Sequence, residues 1–320
     1  MGVAEQRRRS EDGCMQQLRR CERGQALVVM VLFMASLLGL VTLVLDVGSW
    51  FRSQRQLQSA ADAAALAGAQ ALPNGPGNAS GLAQEYATKN ASELASADYS
   101  IGSDLVTNDR ITVHVTRNAP GFFAKIFGID SVHVGATGIA QAKMMAQARH
   151  VAPITVKNTE PMLGGPGCPC LGPGNETTIQ LRTGAPGGFA LVDLSGNGNG
   201  NTSNDAIADW IVNGYPDYLP VGTYLSDPGA KFNNSEIQRA LNFRIGTVLL
   251  FPVYDTYTGG GANAGYHVIG WAAFHLESTD LNGQGSLTGY FTDISWDGIG
   301  TTTPTGGGPN YGAHTVQLVG

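Results

Sequence analysis

The residues of this chain that could do chemistry are few and lie in separate stretches. Asp193-Leu194-Ser195-Gly196-Asn197-Gly198 puts oxygen-bearing side chains at the first, third and fifth places of a loop with glycine sixth, the layout of a calcium loop. At the twelfth place, where such a loop needs a bidentate Glu, stands Asn204, followed by Asp205. Asp193, Ser195, Asn197 and Asp205 are therefore a weak calcium candidate, because their combined charge is low. A Gly/Asn turn leading into a helix accounts for the same residues. No metal and no cofactor is expected.

Hydrolysis would need a nucleophile and a base. The chain has no Gly-x-Ser-x-Gly and no His-Glu-x-x-His. His267 and His275 fall on one face of a predicted strand, too far apart to be joint ligands, and His314 is near the end. Each reads as a surface or half-buried histidine. Asp193, Asp255, Glu277 and Asp293 are acids that could meet as a glycosidase pair, but their spacing selects no two of them. The glycine runs at Gly259–Gly261 and Gly306–Gly308 lack the strand–loop–helix setting of a phosphate cradle and read as turns. No catalytic residue is expected, and the chain reads as a non-enzyme.

Cysteines offer little more. Cys168 and Cys170 lie in the Gly/Pro-rich run from Gly164 to Gly174 and can pair with each other or with another molecule. A Cys-x-Cys bridge closes a very small ring, so a loop clip or an isolated oxidation product is the expected role. Two sulfurs alone do not make a zinc site.

The elements that would have to position these groups hang from residues 24–72. Ala26 to Leu45 is twenty residues without a charge, about 30 Å of helix, the thickness of a bilayer's hydrocarbon core. A cleaved secretory signal would have a shorter apolar core and a small-x-small site after it; here the run leaves through Asp46-Val47-Gly48-Ser49-Trp50-Phe51. Six arginines precede the span within residues 1–23, against Arg52 and Arg55 just beyond it. The positive-inside rule then keeps the N-terminus in the cytoplasm and exports the rest. Trp50 and Phe51 stand where an interfacial aromatic belt is expected, and Asp46 reads as interfacial and hydrated.

Beyond the span the helix is expected to continue, with a seam of Val47, Trp50, Gln54, Leu57, Ala61, Ala64, Gly68 and Ala71 whose small end lets another element come close. That element is either the helix's own domain or another subunit. Pro73–Asn78 stops it. A second helix is predicted over Ser80–Ala97 with Ser80 as its cap, a strand over Arg110–Arg117, a short helix over Pro120–Gly128 and a strand over Ser131–Ala140. Together they form a compact unit seated on the anchor helix.

After Ala142–Arg149 the chain turns to short apolar runs between Gly, Pro, Asn and Asp. Strands are predicted at Thr178–Leu181, Phe189–Leu194, Thr247–Val253, His267–Leu276 and Leu287–Ile294, with a helix at Asp205–Val212 capped by Asn204. Gly298–Asn310 is expected to be poorly ordered. Thirty of the 44 glycines, and thirteen acidic against five basic residues, fall in residues 151–320. So acidic a distal region argues against nucleic acid as a partner.

The fold class expected is α+β. The domains expected are a cytoplasmic basic tail over 1–23, a transmembrane helix over 24–46, a membrane-proximal α+β unit over 47–145 and a Gly-rich, mainly-β exported domain over 146–320.

Three motifs carry a family resemblance: Arg23-Gly24-Gln25-Ala26 before the span, Leu45-Asp46-Val47-Gly48 closing it, and Leu57-Gln58-Ser59-Ala60-Ala61-Asp62-Ala63-Ala64-Ala65-Leu66-Ala67-Gly68-Ala69 after it. They closely resemble the N-terminal region of TadG-like proteins of the Tad (Flp) pilus-assembly group, and Phe122-Phe123 to Ala142 is similar to the segment that follows. The resemblance implies a single-pass cell-membrane protein that meets other pilus-assembly or envelope proteins as a scaffold or surface-adhesion component. Two departures matter. Prepilins of related systems are cut after a Gly with Glu at the fifth place beyond, where Gly24 is followed by Val29, so the N-terminus is expected to be retained. Some TadG-like proteins carry a von Willebrand A-like domain with Asp-x-Ser-x-Ser, where this chain has Asp193-Leu194-Ser195-Gly196-Asn197 and no alternating strand–helix pattern. The alternative is an exported carbohydrate-binding or hydrolase domain carried on a TadG-like anchor.

Overall fold

The computed structural model describes residues 3–182, 190–196, 202–227, 231–282, 285–302 and 309–319, with side chains from residue 25 onward except at 262. In chain order the elements are α1 (Val3–Ala69), α2 (Pro76–Asn90), β1 (Ser96–Gly102), β2 (Arg110–Pro120), a 3-10 turn (Ala124–Phe127), β3 (Ser131–Ala148), β4 (Val156–Lys157), α3 (Pro161–Gly164), β5 (Thr177–Gln180), α4 (Asn204–Asn213), β6 (Leu219–Pro220) and β7 (Gly222–Leu225). They continue with a 3-10 turn (Lys231–Asn233), α5 (Ser235–Phe243), β8 (Val248–Thr258), a 3-10 turn (Gly261–Asn263), β9 (Gly265–Asp280), β10 (Ser286–Thr292), β11 (Ile294–Ser295), β12 (Gly298–Gly300) and β13 (Ala313–Leu318). The class is α+β: a long apolar helix, then a mainly-β region.

One compact unit comprises residues 1–58, 93–96 and 116–136. Its helix, from Leu27 to Leu45, leaves the large apolar side chains exposed on all faces, and it is long and apolar enough to cross a membrane. An α-helix can be apolar all round because its backbone hydrogen bonds are internal.

The other unit comprises residues 59–92, 97–115 and 137–320. In it the end of α1 buries Ala60, Ala61, Ala64 and Ala65 completely. A Cβ on Gly68 would lie 2.6 Å from Ile111 Cδ1, and one on Gly138 would lie 2.5 Å from the backbone carbonyl of Ala61. The small end of the seam is thus covered by the chain's own β2, β3 and α2, with Ala79, Ala83 and Ala87 of α2 also buried.

Two sheets follow. One runs β1-β2-β3-β13-β11, with β12 and β6 also on β3; the other runs β4-β8-β9-β10-β5, with β7 on β9. The second sheet is buried on both faces. Leu249, Phe251, Ala272, Phe274 and Leu276 pack with Ile207, Ile211, Ile237 and Leu241 of α4 and α5. Their strand neighbours Leu250, Trp271 and Ala273 pack the other way, against Met145 and Ala313. A sheet covered on both sides reads as a continuous apolar run, which is why Val248-Leu249-Leu250-Phe251 shows no alternation.

Several expectations shift. α2 starts at Pro76, not after Ser80, because proline in the first turn needs no N–H partner, and it ends at Asn90 before β1. β3 runs on to Ala148, through the stretch where the composition changes. The cap of α4 is Ser203, whose hydroxyl accepts from the Ala206 N–H, not Asn204. Ala190–Leu194 forms isolated bridges to Ile154 and Ser226 and no strand; Phe189 lies outside the described residues. Within Gly298–Asn310, β12 pairs with β3, and residues 303–308 lie outside the described residues.

Candidate functional site

The clearest built site is where the apolar helix ends. Asp46 is only 1 % exposed, so it is not the hydrated interfacial residue its position suggests. A buried carboxylate needs donors, and a 3-10 turn begins with N–H groups that have no partner within the turn. The two meet. The Phe122 N–H donates to Asp46 Oδ1 at 3.0 Å, the Phe123 N–H to Oδ1 at 3.2 Å and Oδ2 at 3.0 Å, and the Ala124 N–H to Oδ2 at 2.5 Å. One helical turn on, Trp50 Nε1 donates to the Pro120 carbonyl at 3.1 Å. Residues four apart share a helix face, so Asp46 and Trp50 grip one segment, Pro120–Ala124.

The gripped segment is closed on itself. The Gly121 N–H donates to the Asp130 carbonyl at 2.9 Å, and a Cβ on Gly121 would sit 2.7 Å from the Ile129 carbonyl oxygen. Gly128, at φ +81°, ends the turn in the left-handed region that favours glycine.

Of the calcium candidates, Asp193 and Ser195 meet each other, and Asp205 meets a different partner. Asp193 is buried, and its Oδ1 accepts from the Ser195 N–H at 2.8 Å and the Ser195 hydroxyl at 2.6 Å. Asn197 lies outside the described residues. Asp205, exposed in the first turn of α4, hydrogen-bonds Glu236 of α5 and pushes that carboxyl above its ordinary value. This is a carboxyl pair that sequence spacing misses, and direct contact leaves no room between the two for a scissile bond. No group of three or more His, Cys, Asp or Glu that could hold a metal occurs among the described residues.

The histidines are separate too. His267 is exposed with Nδ1 2.8 Å from Asp255 Oδ1. Burial pushes the Asp255 carboxyl up, but the bonds from His267 and Thr256 outweigh it and hold the group below its usual range. His275 stacks on its cross-strand partner Tyr290 with ring centres 4.9 Å apart. His314 is fully buried, not a surface residue, with Nδ1 3.2 Å from Asp293 Oδ1, because β13 is an inner strand between β3 and β11. Glu277 is exposed on β9. Cys168 and Cys170 are bridged to each other.

An open groove of 370 Å³ is lined by Tyr215, Tyr218 and Tyr224 with Ser195 and Asp217. Two of its rings are fixed by their hydroxyls: Tyr218 donates to Asp297 Oδ1 at 2.9 Å and Tyr224 to the Pro220 carbonyl at 2.6 Å.

Residues 24–71 match the family model described as Flp pilus-assembly TadE/G-like, and residues 50–140 match the one described as Tad-like Flp pilus-assembly. No curated protein and no solved structure matches the chain. The matched residues include the apolar helix, the Ala-packed end of α1 and the loop that Asp46 holds. Residues 24–140 of this chain are therefore a TadE/G-like, Tad-like region of the Flp pilus-assembly group.

Proposed function

We propose that the chain is a non-enzymatic, single-pass membrane-anchored component of a pilus-assembly system, acting as a scaffold or surface-adhesion element toward other envelope proteins. The observation that carries the reading is α1. Its apolar stretch covers none of its own faces with the rest of the chain, and it continues without a break into a helix end packed inside a folded unit. An all-round apolar helix needs an apolar surrounding, and lipid supplies one. The arginines before the span favour a cytoplasmic N-terminus and an exported remainder. The pilus-assembly families matched support a non-enzymatic role.

The test is extraction followed by capture. Membranes holding the full chain are washed with alkaline carbonate, and the chain should stay in the pellet; release into the supernatant would remove the anchor. Capture of the intact protein from solubilised membranes should then bring down pilus or envelope components. Recovery of no such component would remove the scaffold role.

A second reading is favoured by the tyrosine groove. Aromatic faces held rigid beside polar groups suit a sugar, so residues 146–320, taken as a separate exported domain, would bind carbohydrate. A glycan array probed with the full chain in detergent decides between the two. Specific binding lost on Tyr218→Ala would favour the carbohydrate reading, and an empty array would remove it.

A further inference from the structure

We propose that the loop Phe122–Ile129 is a second lipid contact, lying in the interfacial layer of the bilayer beside the point where α1 leaves it. The inference rests on the reading of Ala26–Leu45 as a membrane span.

Three observations converge on it. First, the loop displays apolar surface that its own unit does not cover: Ile126 is 80 % exposed, Phe127 79 % and Phe122 63 %, with Phe123 and Ile129 also exposed. Scattered apolar residues on a surface need no explanation, but five large ones within eight consecutive residues mark a surface that meets something. Secondly, the loop is not a loose tether. The Gly121–Asp130 bond closes it, the Ile129 N–H donates to the Ala124 carbonyl at 3.1 Å, and Gly128 turns it. The apolar side chains are therefore presented by a fixed frame.

Thirdly, its level is set. Asp46 follows Leu45, the last residue of the uncharged run, and takes the N–H groups of Phe122, Phe123 and Ala124. The loop is thus pinned to the end of the span, beside Trp50 and the exposed Phe51, the kind of aromatic residues found at membrane–water interfaces. Lys125 is the only charged residue between Gly121 and Ile129 and is exposed. Its long stem can lie along apolar surface while the ammonium reaches headgroup phosphates. Irregular backbone is not tolerated in the hydrocarbon core, so the interface, and not the core, is the layer that fits. Continuity with the span is what selects lipid over a second protein as the occupant.

The experiment uses the full chain with Cys14→Ser and Cys21→Ser and the Cys168–Cys170 bridge intact. One cysteine at a time is added as Ile126→Cys, Phe127→Cys, Leu37→Cys or Gln54→Cys. Each variant is spin-labelled and reconstituted in phosphatidylethanolamine–phosphatidylglycerol vesicles. Accessibility to oxygen and to a water-soluble nickel chelate gives the depth of each label. Labels at 126 and 127 should be open to oxygen and shielded from nickel, about 5–10 Å inside the headgroup boundary. Gln54, eight residues and about 12 Å of helix beyond Asp46, should be open to nickel. Nickel access at 126 and 127 equal to that at 54, with the label at 37 deep, would overturn the loop contact and leave the span standing. Shielding of 126 and 127 from both reagents would show a protein covering the loop and overturn it as well. Nickel access at 37 would overturn the span itself, and the inference with it.

Discussion

Asp46 and Asp109 are buried carboxylates placed where a loop presents backbone N–H groups, and each neutralises several donors at once. Asp109 accepts from the N–H groups of Asp104 at 2.7 Å, Leu105 at 2.8 Å and Val106 at 3.1 Å, and from Gln141 Nε2 at 2.7 Å. Burial pushes this carboxyl up, but the Gln141 amide and the three N–H groups outweigh it and hold it below its ordinary value. A folded-state value below the unfolded one adds stability above about pH 4, and that contribution is lost as pH falls through the folded value. Asp109→Asn keeps the shape but turns an amide donor toward other donors, so it should cost about 1–3 kcal/mol at pH 7. Urea melts in detergent should show the gap between wild type and variant closing below pH 4; a gap independent of pH would contradict the ionised assignment. The calcium candidates lead to the opposite expectation. Asp193 already spends Oδ1 on Ser195, so millimolar calcium should leave the thermal midpoint of the full chain unchanged. A rise of about ten degrees or more, lost on Asp193→Ala, would make residues 193–205 a metal site. Neither Asp46 nor Asp109 was legible as a buried acceptor. The donors of Asp46 come from 76 to 78 residues away, beyond any local pattern, whereas Asp109 takes three N–H groups from three to five residues back and only Gln141 from 32 residues away.

Among the elements, the legible ones were those whose own side chains announce them. The apolar helix, β2, β8, β9 and β10 stood out because they combine length with dense apolar or alternating residues. β1 alternates, with Ala97, Tyr99 and Ile101 more covered than Ser96, Asp98 and Ser100, a short signal that the predicted helix over Ser80–Ala97 overlaps, and β13 shows no alternation because its burial falls steadily along its length. α5 escaped because it is only nine residues long, although Ile237, Ala240 and Leu241 have helical spacing and Asn234 caps it by accepting from the N–H groups of Glu236 and Ile237, signals the sequence does contain. The packing of α1 on β3 was legible as a row of small residues, but not as to which element would fill it. Two glycines test that packing. Gly138→Ala would push a methyl to within 2.5 Å of the Ala61 carbonyl, a backbone atom that cannot swing aside, and should cost about 1–3 kcal/mol. Gly81→Ala sits on α2 with nothing within 4 Å and should stabilise by about 0.5–1 kcal/mol, because alanine gives up less backbone entropy in a helix. Denaturant melts of the two variants should move in opposite directions; the same sign for both would mean that the close approach at Gly138 is not made.

For the whole molecule the question is which side of the membrane each part occupies, and on the orientation proposed above charge and cysteines make the same prediction. Six arginines in residues 1–23 against Arg52 and Arg55 beyond the span favour retention of the N-terminus in the cytoplasm. A reducing cytoplasm keeps thiols free, whereas disulfides persist outside it, and the distal pair Cys168–Cys170 is bridged. Cys14 and Cys21 belong to the arginine-rich tail and should remain thiols. On the proposed orientation the two sets of cysteines lie on opposite sides and test it without any substitution. An impermeant thiol reagent is applied to intact cells, or to spheroplasts where an outer membrane blocks access, before and after mild reduction with a reductant that does not cross the inner membrane. No label should enter before reduction. After it, Cys168 or Cys170 should be modified while Cys14 and Cys21 stay unmodified until the membrane is permeabilised. Labelling of Cys14 and Cys21 alone on sealed cells would invert the orientation. Labelling of all four after reduction on sealed cells would mean that α1 does not cross at all, and the anchor, the exported remainder and the lipid contact of the Phe122–Ile129 loop would fall together.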